Sequence, residues 1–231
     1  MTGRVAIFTG GAGALGHAAS QRLLAAGGTV CIPYLVPAEV EHLRAVIARD
    51  LLPRLHAEQV DVTDETAFND FVGRVLEQYG RVDVLVNIIG GFAPGDLAST
   101  TLMEWRRMMD LNLTSVVIAC RGVLPGMTKA CHGRIVNVTS RAALTPSAGA
   151  ITYTVSKAAV VALTQVLALE VRDHGITINA VAPSTMDTPG NRAAMPNSNR
   201  SDWVSTDAVA AVIAFLASED AGAVTGAVVP V

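Results

Sequence analysis

Short apolar runs alternate with helix-period segments from one end of the chain to the other. VAIFT (5–9) precedes a helical pattern over about 14–26, and TVCIPY (29–34) precedes another starting near Pro37. LHAEQVDV (55–62) leads into a helix over about 64–79, and VDVLVNII (82–89) into one over about 101–124. RIVNVTS (134–140) comes before a helix that opens with TYTVSK, ITINAVAP (176–183) before a loop and a helix at Asp207, and AVVPV closes the chain. Most of these seven runs are apolar throughout instead of alternating, the mark of strands buried on both faces. Strands of that kind separated by helices predict a parallel sheet, and right-handed crossovers make it a doubly wound α/β fold of seven strands. No repeat, low-complexity tract or linker divides the pattern, so a single domain over 1–231 is expected. The least regular stretch, about 184–204, mixes Gly, Pro, Asn and Ser between ordered elements and predicts a short lid.

Composition narrows the classes of function. Hydrophobic residues make up 51% and charged residues 16% of the chain, far from a disordered composition. The net charge is −3 and the 17 basic residues are scattered, which argues against a nucleic-acid or membrane-surface partner. The longest apolar run, Ala208 to Ala217, is too short to span a bilayer. MTGRVAIFTGG enters a strand at once, without a signal or transit pattern, and a cytoplasmic location is expected. Cys31, Cys120 and Cys131 lie in apolar segments and read as reduced core residues; none has a partner histidine at a spacing that suggests a catalytic thiol. The five histidines are dispersed, so no metal site is expected.

Chemistry enters at the end of the first strand. TGGAGALG (9–16) places Gly11, Gly13 and Gly16 in a G-x-G-x-x-G spacing, after a strand and before a helix. Such a turn lets the backbone approach a pyrophosphate whose charge sits at the helix N-terminus. The alternative is a merely tight strand–helix turn. A dinucleotide site of this kind puts an acid at the end of the second strand for a ribose hydroxyl, or a base for a 2′-phosphate. Here that strand ends Pro33-Tyr34-Leu35-Val36, and the next charges are Glu39 and Arg44. A 2′-phosphate without a cation is poorly compensated, whereas a hydroxyl can be served by backbone or water, so NAD is favoured over NADP.

The chain has three tyrosines and two lysines, yet Tyr153 and Lys157 stand four apart at the head of an apolar helix. Composition alone would produce such a spacing about 0.03 times in a chain of this length. Four apart on a helix is one face, so the hydroxyl and the ammonium can share a pocket. A tyrosine with an ordinary pKa near ~10 is a poor acid at neutral pH, and a neighbouring ammonium would lower it. A solvated amphipathic helix is the plainer reading. From Ala158 to Val171, however, only Thr164, Gln165 and Glu170 are polar, so a lone lysine there is costly unless used.

Taken together, these residues resemble the short-chain dehydrogenase/reductases over essentially the full length. TGGAGALG is similar to that family's T-G-x-x-x-G-x-G turn, with Thr9, Gly10 and Gly16 in place. Asp61-Val62 matches the pair that contacts adenine, and VDVLVNIIGG matches the strand that ends N-N-A-G, with Asn87 and Gly90. Asn112, Ser140, Tyr153 and Lys157 match the family's catalytic residues, and NAVAPSTMDT its N-x-V-x-P-G-x-x-x-T segment, with Pro183 and Thr188. The resemblance implies a nucleotide-binding Rossmann fold and hydride transfer between a nicotinamide and a carbonyl or alcohol carbon. Tyr153 would carry the proton, Ser140 would bind the substrate oxygen, and Lys157 would lower the tyrosine pKa and bind ribose. Asn112 would order a relay water. Cofactor contacts would come from Thr9, Gly10, Gly11, Gly13, Ala14, Leu15, Gly16, Tyr34, Asp61, Val62, Asn87, Gly90, Tyr153, Lys157, Pro183 and Thr188.

The chain departs from the family at Ala14 for the middle glycine, Ile88 and Ile89 for Asn and Ala, and Ser184 for glycine. It stops at VTGAVVPV where the family carries a glycine-rich tail. MDTPGNRAAMP with Trp203, and IIGGF at 88–92, resemble segments of dihydropteridine reductases, which lack the serine and asparagine present here. A lid with Phe92, Trp203, Arg192 and Arg200 would suit a small planar or anionic substrate, unless both arginines are simply solvated. A small ketone or alcohol is the first expectation, and a quinonoid dihydropterin the alternative. A nicotinamide-sensing protein without catalysis would not need all four catalytic residues, and a serine hydrolase would need a G-x-S-x-G that is absent. The helix after Tyr153 and that over about 101–124 are expected to pack against symmetry mates, giving a homodimer or homotetramer.

Overall fold

The computed structural model describes residues 1–231. Seven parallel strands form the main sheet in the order β3 (Leu55–Gln59), β2 (Thr29–Tyr34), β1 (Val5–Thr9), β4 (Val84–Asn87), β5 (Gly133–Val138), β6 (Ile176–Ala182) and β9 (Val228–Pro230). The winding reverses between β1 and β4, which leaves a crevice beyond their carboxyl ends. The helices are α1 (Ala14–Ala25), α2 (Pro37–Val46), α3 (Glu65–Tyr79), α4 (Leu102–Met109), α5 (Ser115–Ala130), α6 (Ile151–Glu170), α7 (Pro189–Ala194) and α8 (Thr206–Leu216).

Alternate residues of the doubly buried strands feed two separate cores. Ala6 and Phe8 of β1 pack with Leu15, Leu23, Val40, Leu43 and Val209, on the side of α1, α2 and α8. Val5 and Ile7 pack with Phe68, Val72, Val116, Val123 and Val160, on the side of α3, α5 and α6. The helices start where their caps dictate. Asp64 accepts the Ala67 N–H at 3.0 Å to open α3, and Thr101 and Glu104 form a reciprocal capping box at α4.

Two expected strands are shorter than their apolar runs. Strand β3 ends at Gln59 because Asp61 accepts the Thr63 N–H at 2.8 Å and turns the chain away. Strand β4 ends at Asn87 because the N–H groups of Ile88 and Ile89 both bond to the carbonyl of Thr9, at 3.0 and 3.2 Å. The helix expected to end near 124 runs on to Ala130, with a π-helical turn at Asp110–Thr114 between α4 and α5. The irregular stretch over 184–204 contains β7 (Met186–Asp187), which pairs in parallel with β8 (Val204–Ser205), and α7.

Leu102–Ala130 and Ile151–Glu170 have the length and hydropathy of membrane spans, although polar residues interrupt the apolar run in both. Their placement explains the hydropathy differently. The buried residues of α6 include Thr152, Ser156, Lys157 and Thr164, while Val155, Val166 and Leu169 are exposed. The helix is apolar outward and, apart from Val160 and Ala168, polar toward the sheet.

That polar face meets a hydrogen-bonded string through the core. The Thr9 hydroxyl donates to Asn87 Oδ1 (3.2 Å), and Asn87 Nδ2 donates to Asn137 Oδ1 (2.9 Å). Asn137 Nδ2 donates to Thr164 Oγ1 (2.9 Å), and the Thr164 hydroxyl donates to the Val160 carbonyl (2.7 Å). All four side chains are buried, so the string locks β1, β4, β5 and α6 in one register. Asn137→Ala removes the oxygen that takes the Asn87 amide and the amide that reaches Thr164, leaves a cavity between them, and should lower stability by about 2–4 kcal/mol, read from urea unfolding. A loss within error of zero would mean that water replaces the string.

Candidate active site

The turn after β1 is shaped by backbone contact. Gly10 has φ +70°, and a Cβ there would lie 2.7 Å from the Ile89 nitrogen. A Cβ on Gly16 would lie 2.4 Å from the Gly11 carbonyl carbon, so α1 can cross this close to the turn only with glycine. No side chain caps α1. Its first-turn N–H groups therefore remain for an anion.

A cavity of about 320 Å³ opens beyond the strand ends, lined by Gly10, Gly13, Ala14, Leu15, Tyr34, Val62, Gly90 and Thr188 among the residues expected to contact a cofactor. Pro33, Val60, Ile88, Ile89 and Met186 complete an apolar wall, and the one charged side chain in the lining is Glu39. The two isoleucines that replace the family's Asn and Ala thus form wall. The shape and the uncapped helix fit a dinucleotide: apolar slot, glycine cradle and free N–H groups together.

Beside this cavity, α6 carries the Tyr153 and Lys157 pair. Lys157 is 4% exposed, and its ammonium donates to the Val138 carbonyl at 3.0 Å, at the last residue of β5. The Thr139 hydroxyl donates to the Lys157 carbonyl at 2.7 Å, so strand end and helix grip each other from both directions. Burial pulls the Lys157 pKa down to about 8. Ser140 follows two residues after Val138, its Oγ accepting the Ala142 N–H at 3.2 Å. Tyr153 lies half-buried beneath the edge of Phe92, with ring centroids 5.1 Å apart and planes at 68°.

The tyrosine titrates in the direction opposite to the expectation. Burial raises its pKa, and the Ser140 hydroxyl beside it offsets this only in part. The Lys157 ammonium uses one of its three N–H donors on Val138 and is itself destabilised by burial.

Asn112 sits in the π-turn, fully buried. Its amide donates to the Gly91 carbonyl (3.1 Å) and to Ser156 Oγ (2.9 Å), and its Oδ1 accepts the Gly91 N–H (2.8 Å). Oδ1 keeps one acceptor position. A Cβ on Gly90 would lie 2.7 Å from that oxygen and 3.0 Å from Lys157 Nζ, so both groups converge on one glycine. Ser156 and Gly91, which hold Asn112, were not anticipated; Ser156 stands three residues after Tyr153, on the helix's buried face.

Other expected cofactor residues sit elsewhere. Thr9 and Asn87 direct their side chains into the core string, so Asn87 holds the sheet instead of lining the cavity. Gly11 lies against Ile32 and Phe8, and Gly16 against the turn itself. The Asp61 carboxylate is occupied by the Thr63 N–H and hydroxyl. The Pro183 carbonyl accepts the Arg141 N–H at 2.9 Å, and Thr188 caps α7 through the Asn191 N–H at 3.2 Å while still lining the cavity. The lid arginines are engaged locally: Arg192 forms a two-pronged pair with Asp187 (2.5 and 2.7 Å), and Arg200 stacks on Trp203 at 5.6 Å. The Arg192 charge is thereby met by a carboxylate, whereas Arg200 keeps its guanidinium donors.

Residues 4–199 match the family described as short chain dehydrogenase. The meso-2,3-butanediol dehydrogenase of Serratia marcescens is 33% identical over 99% of this chain and 92% of its own. The cis-4-hydroxycyclohexanecarboxylate dehydrogenase of Sinomonas cyclohexanicum is 34% identical over 99% of this chain and 94% of its own. The crystal structure of levodione reductase superposes with a TM-score of 0.92 at 29% identity, over 100% of this chain and 96% of that one. The chain belongs to the short-chain dehydrogenases. It is an NAD(P)-dependent oxidoreductase of the kind that acts on small carbonyl and alcohol substrates.

The buried lysine has a stability signature. An unfolded lysine keeps its proton to ~10.4, whereas Lys157 in the fold releases it at about 8. Between those values the unfolded chain binds more protons, so stability rises with pH; below about 8 the contribution is flat. Tyr153 works the other way above ~10, because its folded pKa is the higher one. Urea unfolding should show the wild type losing ground to Lys157→Met less and less as pH rises from about 8 toward ~10, against a common fall in both proteins from the Cys31 and Cys120 thiols, which burial pushes up to about 12. Equal pH slopes in the two proteins would refute the lysine's assignment.

Proposed function

We propose that the chain interconverts a small secondary alcohol and its ketone at Tyr153, using NAD at neutral pH. The nicotinamide supplies or accepts the hydride when bound. Tyr153 moves the proton at the substrate oxygen, and Ser140 donates a hydrogen bond to that same oxygen, where charge develops. Lys157 binds ribose and biases the phenol toward phenolate once a ligand draws its ammonium from Val138. Asn112, braced by Gly91 and Ser156, offers its remaining Oδ1 position to a relay water. The observation that carries this reading is the Ser140 hydroxyl beside a half-buried Tyr153, one helical turn from a buried ammonium.

The substrate class is argued from the rim. Phe92, Leu97 and Leu144 are exposed around the tyrosine's end of the sheet, and Arg192 of the lid is paired with Asp187, which favours an uncharged carbon skeleton beside the reacting carbon. Relatives named for butanediol and for a ring alcohol support the same class. Glu39 with no cation in the cavity supports NAD over NADP. The segment over 184–204, tied to the chain end by the Ser184 N–H on the Val231 carbonyl (2.7 Å), serves as the substrate lid. The same reading places the enzyme in the cytoplasm, where the unpaired Cys31, Cys120 and Cys131 stay reduced.

Its working form is a homodimer or homotetramer. The outward side of α6, with Val166 at 55% and Leu169 at 67% exposure, is an apolar face with no cover inside one chain.

Nicotinamide absorbance with NADH and NADPH, against small ketones and a quinonoid dihydropterin, tests the reaction. Tyr153→Phe should lower kcat by about 10²–10⁴-fold while NAD still binds. Survival of turnover in that variant would remove the tyrosine from the mechanism, and turnover with the dihydropterin alone would replace the substrate class. Light scattering should give a dimer or tetramer, with Leu169→Glu shifting it toward monomer; a monomeric wild type would overturn the assembly.

A further inference from the structure

The loop after β4 carries two glycines past Asn112 and Lys157 before it offers a side chain. A Cβ on Gly90 would meet Asn112 Oδ1 at 2.7 Å and Lys157 Nζ at 3.0 Å, and one on Gly91 would meet Leu111 Cδ2 at 2.7 Å. Backbone alone runs along this part of the site. Phe92 is the first side chain the loop presents, and its ring centroid lies 5.1 Å from that of Tyr153.

The span that carries Phe92 is fixed at both ends. At one end Asn112 grips the Gly91 peptide, its Oδ1 accepting the N–H at 2.8 Å and its Nδ2 donating to the carbonyl at 3.1 Å. At the other end the Gly95 N–H donates to the Gly149 carbonyl at 2.8 Å, and the Ile151 N–H donates to the Gly95 carbonyl at 3.2 Å. These two bonds form a parallel bridge onto the start of α6. Pro94 removes one more backbone freedom between the anchors.

The same amide registers the loop against the tyrosine. Asn112 Nδ2 also donates to Ser156 Oγ at 2.9 Å, and the Ser156 hydroxyl donates to the Tyr153 carbonyl at 2.8 Å. One buried side chain thus sets the spacing of the two rings.

Phe92 is nevertheless 63% exposed, so most of its ring covers nothing within the chain. An aromatic ring held edge-on beside the reacting phenol, with its remaining surface open, is a wall for the substrate skeleton. A flat apolar body fits it. A carbocycle offers such a face with few rotors to freeze, whereas an open chain gives up rotational freedom to lie along it. The span from Gly90 to Gly95 contains no charged residue, and the next carboxylate, Asp96, is taken up by the Ser99 N–H and hydroxyl. A charged substituent on that side would go unmatched.

We propose that Phe92 determines the specificity of this site, selecting secondary alcohols and ketones whose reacting carbon belongs to an uncharged carbocycle. That role rests on Tyr153 moving the proton, as proposed above, and narrows the substrate class of the same site.

Steady-state reduction of two six-carbon ketones, cyclohexanone and 2-hexanone, by the wild type, Phe92→Ala and Phe92→Leu tests it, with the NADH Kd measured alongside. The wild type should favour the ring ketone in kcat/KM by about tenfold or more. Phe92→Ala should lower that ratio by about 10–100-fold, chiefly through KM for cyclohexanone. Phe92→Leu keeps apolar bulk without the aromatic face and should lower it by about 2–10-fold. The NADH Kd should stay within about twofold in both variants, since Phe92 lies outside the cofactor cavity.

Equal losses on both ketones, or a ratio that neither variant moves, would make Phe92 a structural residue and overturn its assignment while leaving Tyr153 in place. A wild type that prefers 2-hexanone would overturn it as well. Reduction of neither ketone by the wild type, or turnover that survives Tyr153→Phe, would overturn the reading on which it stands.

Discussion

A buried ammonium on a strand-end carbonyl sets the geometry of everything around it. Lys157 must reach Val138, and the Thr139 hydroxyl must reach back to the Lys157 carbonyl, so α6 can dock on β5 in one register only. Once that register is fixed, Tyr153 lies a turn earlier on the helix and Ser140 two residues later on the strand, and the two hydroxyls meet without further adjustment. Taking a lone ammonium out of water carries a penalty of several kcal/mol, and a single carbonyl offsets part of it. The fall of its pKa to about 8 is the residue of that penalty. A cation held this way is poised to gain from any oxygen that a ligand brings.

The same constraint explains the inverted helix. A helix that presents Thr152, Ser156, Lys157 and Thr164 to the sheet cannot be held there by hydrophobic burial alone. The string from Thr9 through Asn87 and Asn137 to Thr164 supplies the missing attachment, and each member is paired, so no polar group in it is stranded. Val160 and Ala168 still reach the core, but much of the remaining apolar surface of α6 is turned outward, where Val166 and Leu169 face solvent in the single chain. Catalytic docking and an uncovered apolar surface are two sides of one helix.

The fold was legible because a doubly wound sheet writes itself as apolar runs punctuated by helices, and every one of the seven runs became a strand of the main sheet. The helix face shared by Tyr153 and Lys157 was legible for the same reason, since spacing alone defines it. What the residues touch was not. Asn87 looks like a cofactor contact until β5 supplies Asn137 at 2.9 Å, a pairing between residues fifty apart in sequence. The lowered tyrosine pKa assumed a free ammonium, and only the packing shows Val138 taking it. Arg192 could be read as a substrate cation because nothing in its spacing reveals the two-pronged grip of Asp187. Local periodicity survives translation into structure, whereas the partner of a long polar side chain is decided by distant segments.

Charge is arranged unevenly along the crevice, and this asymmetry constrains what the site can hold. At the tyrosine end a buried cation waits near Gly90; in the wall of the cofactor cavity the charged side chain is Glu39. A ligand carrying a pyrophosphate must therefore be held at its middle by backbone N–H groups and the dipole of α1, since no cationic side chain lines that cavity. Such groups are fixed in place by the turn, do not titrate and are weakly screened when covered. Binding of the shared part of the cofactor then depends on the shape of the glycine turn, with Gly16 packed 2.4 Å from where a side chain would collide.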